Sequence, residues 1–126
     1  MISFEKKYAI KSSLQQIEQE LIALGLWSYG KNRPNDKAFL STTPFFMDTM
    51  EFHQWLEFVL IPKITVLLET QEQLPANVQI HTFAQEVYRG KWHEYKQLIT
   101  KLKEFDKLFG GDQVQILHNY KKAFFR

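Results

Sequence analysis

Apolar side chains recur at intervals of three and four residues in one segment after another, and no segment alternates with period two for long enough to build a strand. Ile10, Leu14, Ile17, Leu21 and Leu24 step by four, three, four and three, which gathers them on one face of a helix over residues 4–24. Ser3 is its expected N-cap, with Glu5 in the first turn and Gly25 as the stop. A second helix is predicted from Asp48 or Thr49, with Phe52, Trp55, Leu56, Val59 and Leu60 inward. Pro62 lacks an N–H and its ring meets the carbonyl of Phe58, so a kink or break is expected near Leu60-Ile61 before Ile64, Leu67 and Leu68 resume the pattern. Leu74-Pro75-Ala76-Asn77 ends that stretch. A third helix is predicted over 79–88 and a fourth over 91–109, the latter with Trp92, Tyr95, Leu98, Ile99, Leu102 and Phe105 inward.

Punctuation by turn residues then predicts an all-α, single-domain bundle of about four helices, with a long loop after the first of them. The domain is expected over 1–111. Residues 112–126 form a C-terminal extension, predicted as a short helix capped by Asp112 and striped by Ile116, Leu117, Tyr120 and Phe124.

A chain of 126 residues with 44% apolar and 24% charged side chains can bury a core without a metal or disulfide. The absence of cysteine removes disulfides, thiolate metal sites and cysteine nucleophiles from consideration. Net charge is +2, and three of the basic residues (Lys121, Lys122, Arg126) lie beyond Gly111 with one acid, Asp112. The rest of the chain is neutral, which argues against a dedicated duplex-binding face. Residues 1–13 lack a secretory leader pattern, and the apolar run Phe58–Pro62 is far short of the roughly 20 residues of a membrane span. A cytoplasmic protein without membrane contact is expected.

The loop over 25–47 carries Gly30, Asn32, Pro34, Asn35 and Asp36 as turn formers, yet also Trp27, Tyr29, Phe39, Leu40 and Phe45-Phe46-Met47. A loop with so many large apolar groups must lie over the core or form a partner site. At its end, Phe45, Phe46, Met47, Met50, Phe52 and Trp55 crowd around Asp48 and Thr49. The first reading is architectural: the loop buries its aromatics while Asp48, three residues before Glu51, caps the second helix through a backbone N–H near Met50 or Glu51. The second reading makes Phe45, Phe46, Met47, Asp48, Thr49 and Trp55 candidate partner-binding residues, since aromatics and Met are enriched at such surfaces. Stacking on RNA ranks third.

The same stretch, Ser41-Thr42-Thr43-Pro44-Phe45-Phe46-Met47-Asp48-Thr49-Met50, with Gln54-Trp55-Leu56, Ile61-Pro62-Lys63, Leu74-Pro75 and Phe105-Asp106-Lys107-Leu108-Phe109, resembles the YqcC-like family of small bacterial proteins. That family usually carries Arg where Lys63 stands. The resemblance spans residues 5–111 and implies a helical bundle. It implies very little about activity, because the family is uncharacterised. Its genes often lie beside that of a tRNA pseudouridine synthase, a pointer to RNA metabolism.

Chemistry-bearing constellations are sparse. None of His53, His81, His93 and His118 lies three or four residues from another, so no paired-histidine metal motif exists. His53 and Glu57 share one helix face and are expected to be a surface pair. No Gly-x-Ser-x-Gly elbow or phosphate loop is present, and Ser41-Thr42-Thr43-Pro44 reads as helix-start chemistry. No catalytic residue, metal or cofactor is assigned. A non-enzymatic protein that binds another protein or itself is the first reading, an accessory factor in tRNA modification the second, and a small-ligand carrier or unrecognised enzyme the third.

Overall fold

The computed structural model describes residues 2–110 apart from Glu72. The expected helix over 112–126 lies outside the described residues, as does the Glu72 carboxylate. Among the described residues there are helices and turns but no strand, so the all-α expectation holds. Helix α1 spans Phe4–Ala23, α2 Phe52–Trp55, α3 Ile61–Thr70, α4 Ile80–Val87 and α5 Trp92–Lys107.

Helix α1 starts where its cap predicts: the Ser3 hydroxyl accepts from the Lys6 N–H at 3.1 Å. Its stripe of Ile10, Ile17 and Leu21 is fully buried, and α5 packs along it. Gly25, at φ +74°, turns the chain so that the N–H groups of Leu26 and Trp27 both reach the Leu21 carbonyl. No helix among the described residues is long and apolar enough to cross a membrane.

Pro62 does not break its helix. A π-helical turn, Leu56–Leu60, joins α2 to α3 without interruption. The Ile61 N–H reaches back five residues to the Leu56 carbonyl. The wider turn gives the proline ring room that an α-turn would deny it. Burial on both sides explains why continuity wins: Leu56 and Leu60 before the proline, and Ile64 and Leu68 after it, are all 0% exposed. Helix α3 stops at Thr70, earlier than the pattern suggests, with Gln71 in the left-handed region at φ +60°.

The expected cap of the second helix is also corrected. The N-cap is Glu51, whose N–H donates to Gln54 Oε1 at 2.8 Å in a reciprocal capping box. Asp48 is exposed and accepts from the Ser41 hydroxyl at 2.5 Å instead. Trp92, expected inward, is 55% exposed. It opens α5, beyond the edge of the core, where its indole N–H donates to the Gln85 carbonyl at 2.8 Å. Trp55 meets expectation at 0% exposure.

Candidate functional site

The long loop is held down by two short 3-10 turns, Asp36–Leu40 and Pro44–Phe46. The second divides the candidate residues into a buried group and an exposed rim. Phe45 and Phe46 are buried, and both adopt left-handed backbone conformations, at φ +56° and +53°. Such angles are strained for residues with a Cβ. They persist because neighbours fix them. The Phe46 N–H reaches the Thr43 carbonyl at 2.9 Å, and the Thr49 hydroxyl lies 2.8 Å from the Ala38 carbonyl and 3.2 Å from that of Phe46.

The reversal drives the Phe45 ring into the core. It stacks on Phe83 of α4 at 3.6 Å between centroids and meets Trp55 edge-on at 4.9 Å. The fold thus brings Phe45 and Trp55 together, with Phe52 beside them. Met47, Asp48 and Thr49 face solvent.

Phe46 turns the other way and helps to line an open groove of about 480 Å³. Phe39 and Phe46 contribute from the loop, Phe58 and Val59 from the π turn, and Pro62, Lys63, Val66 and Leu67 from α3. Lys63 is the one charged residue in this apolar lining, and burial holds its ammonium below the usual lysine range. Val66 is 51% exposed.

Two buried carboxylates escaped sequence reasoning. Glu57, in the π turn, is 6% exposed rather than half of a surface pair with His53. It accepts from the Ser28 N–H at 3.0 Å, the Ser28 hydroxyl at 2.9 Å and the Gly30 N–H at 2.9 Å, pinning the loop that follows α1. An acid inside the apolar run Phe52–Leu60 is the signal that could have revealed it. Asp106 of α5 is 4% exposed and lies 2.7 Å from His81 Nδ1 and 2.8 Å from the His81 backbone N, capping α4 from a distance. Burial raises its carboxyl above the ordinary range and outweighs the hydrogen bonds from His81 and Ile80.

A second cavity of about 280 Å³ lies where Glu51 and His53 of the α2 start face Tyr88, Arg89, Lys91 and Tyr95. Tyr88 and Tyr95 stack at 3.8 Å, and burial, then Tyr95 and Glu51, push the Tyr88 phenol upward. Arg89 is tied to Glu86 at 2.6 and 2.7 Å. No three His, Asp or Glu side chains among the described residues are placed to hold a metal ion.

A family model named DUF446 and described as tRNA pseudouridine synthase C matches residues 9–108. The chain belongs to this family. An uncharacterised protein of Haemophilus influenzae is 33% identical over 103 residues, covering 82% of this chain and 94% of the relative. The uncharacterised protein YqcC of Escherichia coli K12 is 31% identical over 103 residues, covering 82% and 93%. The YqcC-like resemblance therefore holds. A protein of Pectobacterium carotovorum named tRNA pseudouridine synthase C is 36% identical over 66 residues, which are 52% of this chain and 17% of that protein. No solved structure matches.

Proposed function

We propose that this chain is a non-enzymatic cytoplasmic docking module whose partner is a tRNA pseudouridine synthase. One observation carries the reading. Sequence of this kind occupies 17% of a protein named as such a synthase, leaving most of that polypeptide for something else. Two units joined in one chain meet at an effective concentration in the millimolar range; as separate chains they need an interface of their own. The geometry supports a docking role over a chemical one. The stretch that resembles the family's signature supplies Phe46 to the lining of an apolar groove and, directly after it, leaves Met47, Asp48 and Thr49 exposed. Of the two buried carboxylates, Glu57 accepts from the backbone N–H groups of Ser28 and Gly30, and Asp106 Oδ2 accepts from that of His81 and meets its ring nitrogen.

The test is co-expression of the tagged full chain with the tRNA pseudouridine synthase of the same cell, followed by sizing and calorimetry. A stoichiometric complex is expected. Failure to associate at tens of micromolar in low salt refutes the reading.

A further inference from the structure

Contiguous apolar surface left open to water is normally covered in use. The groove beside α3 is such a surface, and Val66 in its wall is 51% exposed. The direction of the helices shows which part of the chain can reach it. The smaller cavity marks one end of the bundle. Its lining joins Leu26, just past α1, to Phe52 at the start of α2, Val87 at the end of α4 and Tyr95 in the first turn of α5. From there α2, the π turn and α3 run without interruption to Thr70, about 28 Å away. Helix α4 starts at that far end, where Asp106 near the end of α5 accepts from the His81 N–H. The Asn77 N–H also donates to the Phe109 carbonyl there, at 3.4 Å. The described chain therefore reaches Gly110 at the end of the bundle where α3 stops.

Residues 111–126 continue from that point and lie outside the described residues. The steps among Ile116, Leu117, Tyr120 and Phe124 predict a helix with one apolar side, and the same period sets Gln115, His118, Lys122 and Arg126 on the other. At roughly 1.5 Å per residue the stripe from Ile116 to Phe124 is about 12 Å long. The groove runs from Phe58 to Leu67, about 13 Å on the same measure. The link from Gly110 to Ile116 reaches at most about 20 Å. Helices α3 and α5 both pack on α1, so their axes lie within about two helix spacings of roughly 8–10 Å each. Stripe and groove thus agree in length and in apolar character, and the link is long enough to join them.

Proximity favours this occupant over a separate molecule. A tether this short holds the segment at an effective concentration in the millimolar range, with which any free partner must compete. The other apolar surface at this end of the bundle fits less well. Phe4 and Tyr8 of α1 are 78% and 68% exposed, but their face continues as Lys11 and Gln15 and is too short for a stripe of four.

We propose that the C-terminal segment of this chain, residues 112–126, folds back as a helix antiparallel to α3 and seats Ile116, Leu117, Tyr120 and Phe124 in the groove. The segment is a built-in cover, and a partner that used the groove would have to displace it. The matched family range ends at residue 108, so the cover is an addition to the family's bundle. The proposal goes beyond the docking reading, does not depend on it, and is tested without the synthase.

The chain has no cysteine, so a single one can be introduced for a nitroxide spin label. With the full chain labelled at His118→Cys, the amide signals of Val66 and Leu67 should lose most of their intensity in NMR spectra, and that of Trp92, at the far end of the bundle, should keep its own. Adding Leu117→Asp and Tyr120→Asp to the labelled chain should restore the lost intensity. Val66→Glu, at a half-exposed position, should restore it at Leu67 from the groove side. Each variant is checked for wild-type amide positions over α1 and α5. A loss centred on Tyr8 and Lys11 seats the segment on α1 and overturns the proposal. So does a loss at Val66 that appears when the labelled chain is mixed with an unlabelled, isotope-enriched one, which makes a second copy the source of the helix. No loss at Val66 and Leu67 overturns it outright. A loss that survives Leu117→Asp with Tyr120→Asp overturns it too, because the apolar stripe is then not what holds the segment.

Discussion

Phe45 offers the sharpest test of how the signature loop is built, because two effects at that residue can be separated by substitution. Its ring is 4% exposed, stacked on Phe83 at 3.6 Å and edge-on to Trp55 at 4.9 Å. Removing it should cost about 3–5 kcal/mol, the usual loss for a buried Phe truncated to Ala. The backbone contributes a second term. At φ +56° an alanine keeps a Cβ penalty of about 1–2 kcal/mol that glycine escapes. Glycine also gives back roughly 0.4–1 kcal/mol through the greater freedom of its unfolded chain. The difference leaves Phe45→Gly more stable than Phe45→Ala by about 0.5–1 kcal/mol. At an ordinary helical or extended position the order is the reverse, with Ala ahead by a similar amount. The sign of the difference thus reports the conformation directly. Urea unfolding resolves it, since slopes of about 1–3 kcal/mol/M turn the gap into a few tenths of a molar in midpoint. If Phe45→Ala proves the more stable variant, the left-handed turn is wrong. If both variants lose less than about 1.5 kcal/mol, the ring is not a core element.

Other substitutions test the remaining supports. Trp55→Ala should cost about 3–5 kcal/mol while Trp92→Ala costs under about 1.5 kcal/mol, one hydrogen bond to the Gln85 carbonyl; equal losses in thermal melts would contradict the placement of the two rings. Glu57→Gln keeps the shape of the side chain but loses its charge and one acceptor oxygen. It should cost about 2–3 kcal/mol and speed amide exchange at Ser28 and Gly30, and unchanged exchange there would show that the carboxylate does not hold the loop. Asp106 has its carboxyl raised by burial, so the folded state keeps that proton to higher pH than the unfolded chain does. Its contribution is therefore greatest below the ordinary value of 3.8 and is lost as pH rises through the folded value. Relative to wild type, Asp106→Asn should gain stability as pH rises above 3.8; a difference moving the opposite way in urea titrations would mean that His81 keeps Asp106 ionised.

Periodicity located the helices because each buries a stripe of its own, and the stripe is written locally. Ile10, Ile17 and Leu21 are buried as their spacing requires, and so are Leu98, Leu102 and Phe105. The same pattern misplaced Trp92. A stripe tells which side of a helix a residue takes, not whether a neighbour extends far enough to cover it, and α5 begins past the edge of the core. The carboxylates were illegible for a related reason. Glu57 meets Ser28 across 29 residues and Asp106 meets His81 across 25, and no window of one helical turn contains either pair. The density of aromatics around residues 45–55 predicts burial, and Phe45, Phe52 and Trp55 are buried, but nothing in the spacing predicts how the group divides. Two consecutive left-handed residues decide that Phe45 enters the core and Phe46 turns to the groove, and no glycine is there to announce them.

Pro62 shows how the fold and the candidate site depend on one decision. The sequence states that an α-helical hydrogen bond must be lost there; it does not state how the chain responds. A break would have required one of two buried pairs, Leu56 and Leu60 or Ile64 and Leu68, to leave the core. Widening a single turn by one residue keeps both, and it offsets the faces before and after the proline by about 100°. Within that turn Glu57 reaches the loop over 28–30, while Phe58 and Val59 join Pro62 and Val66 along the groove. The groove and the pinned loop are thus two consequences of one π turn. A variant that restored regular α-helix, such as Pro62→Ala with deletion of one residue from Leu56–Leu60, should lose the Glu57 contacts and the groove together.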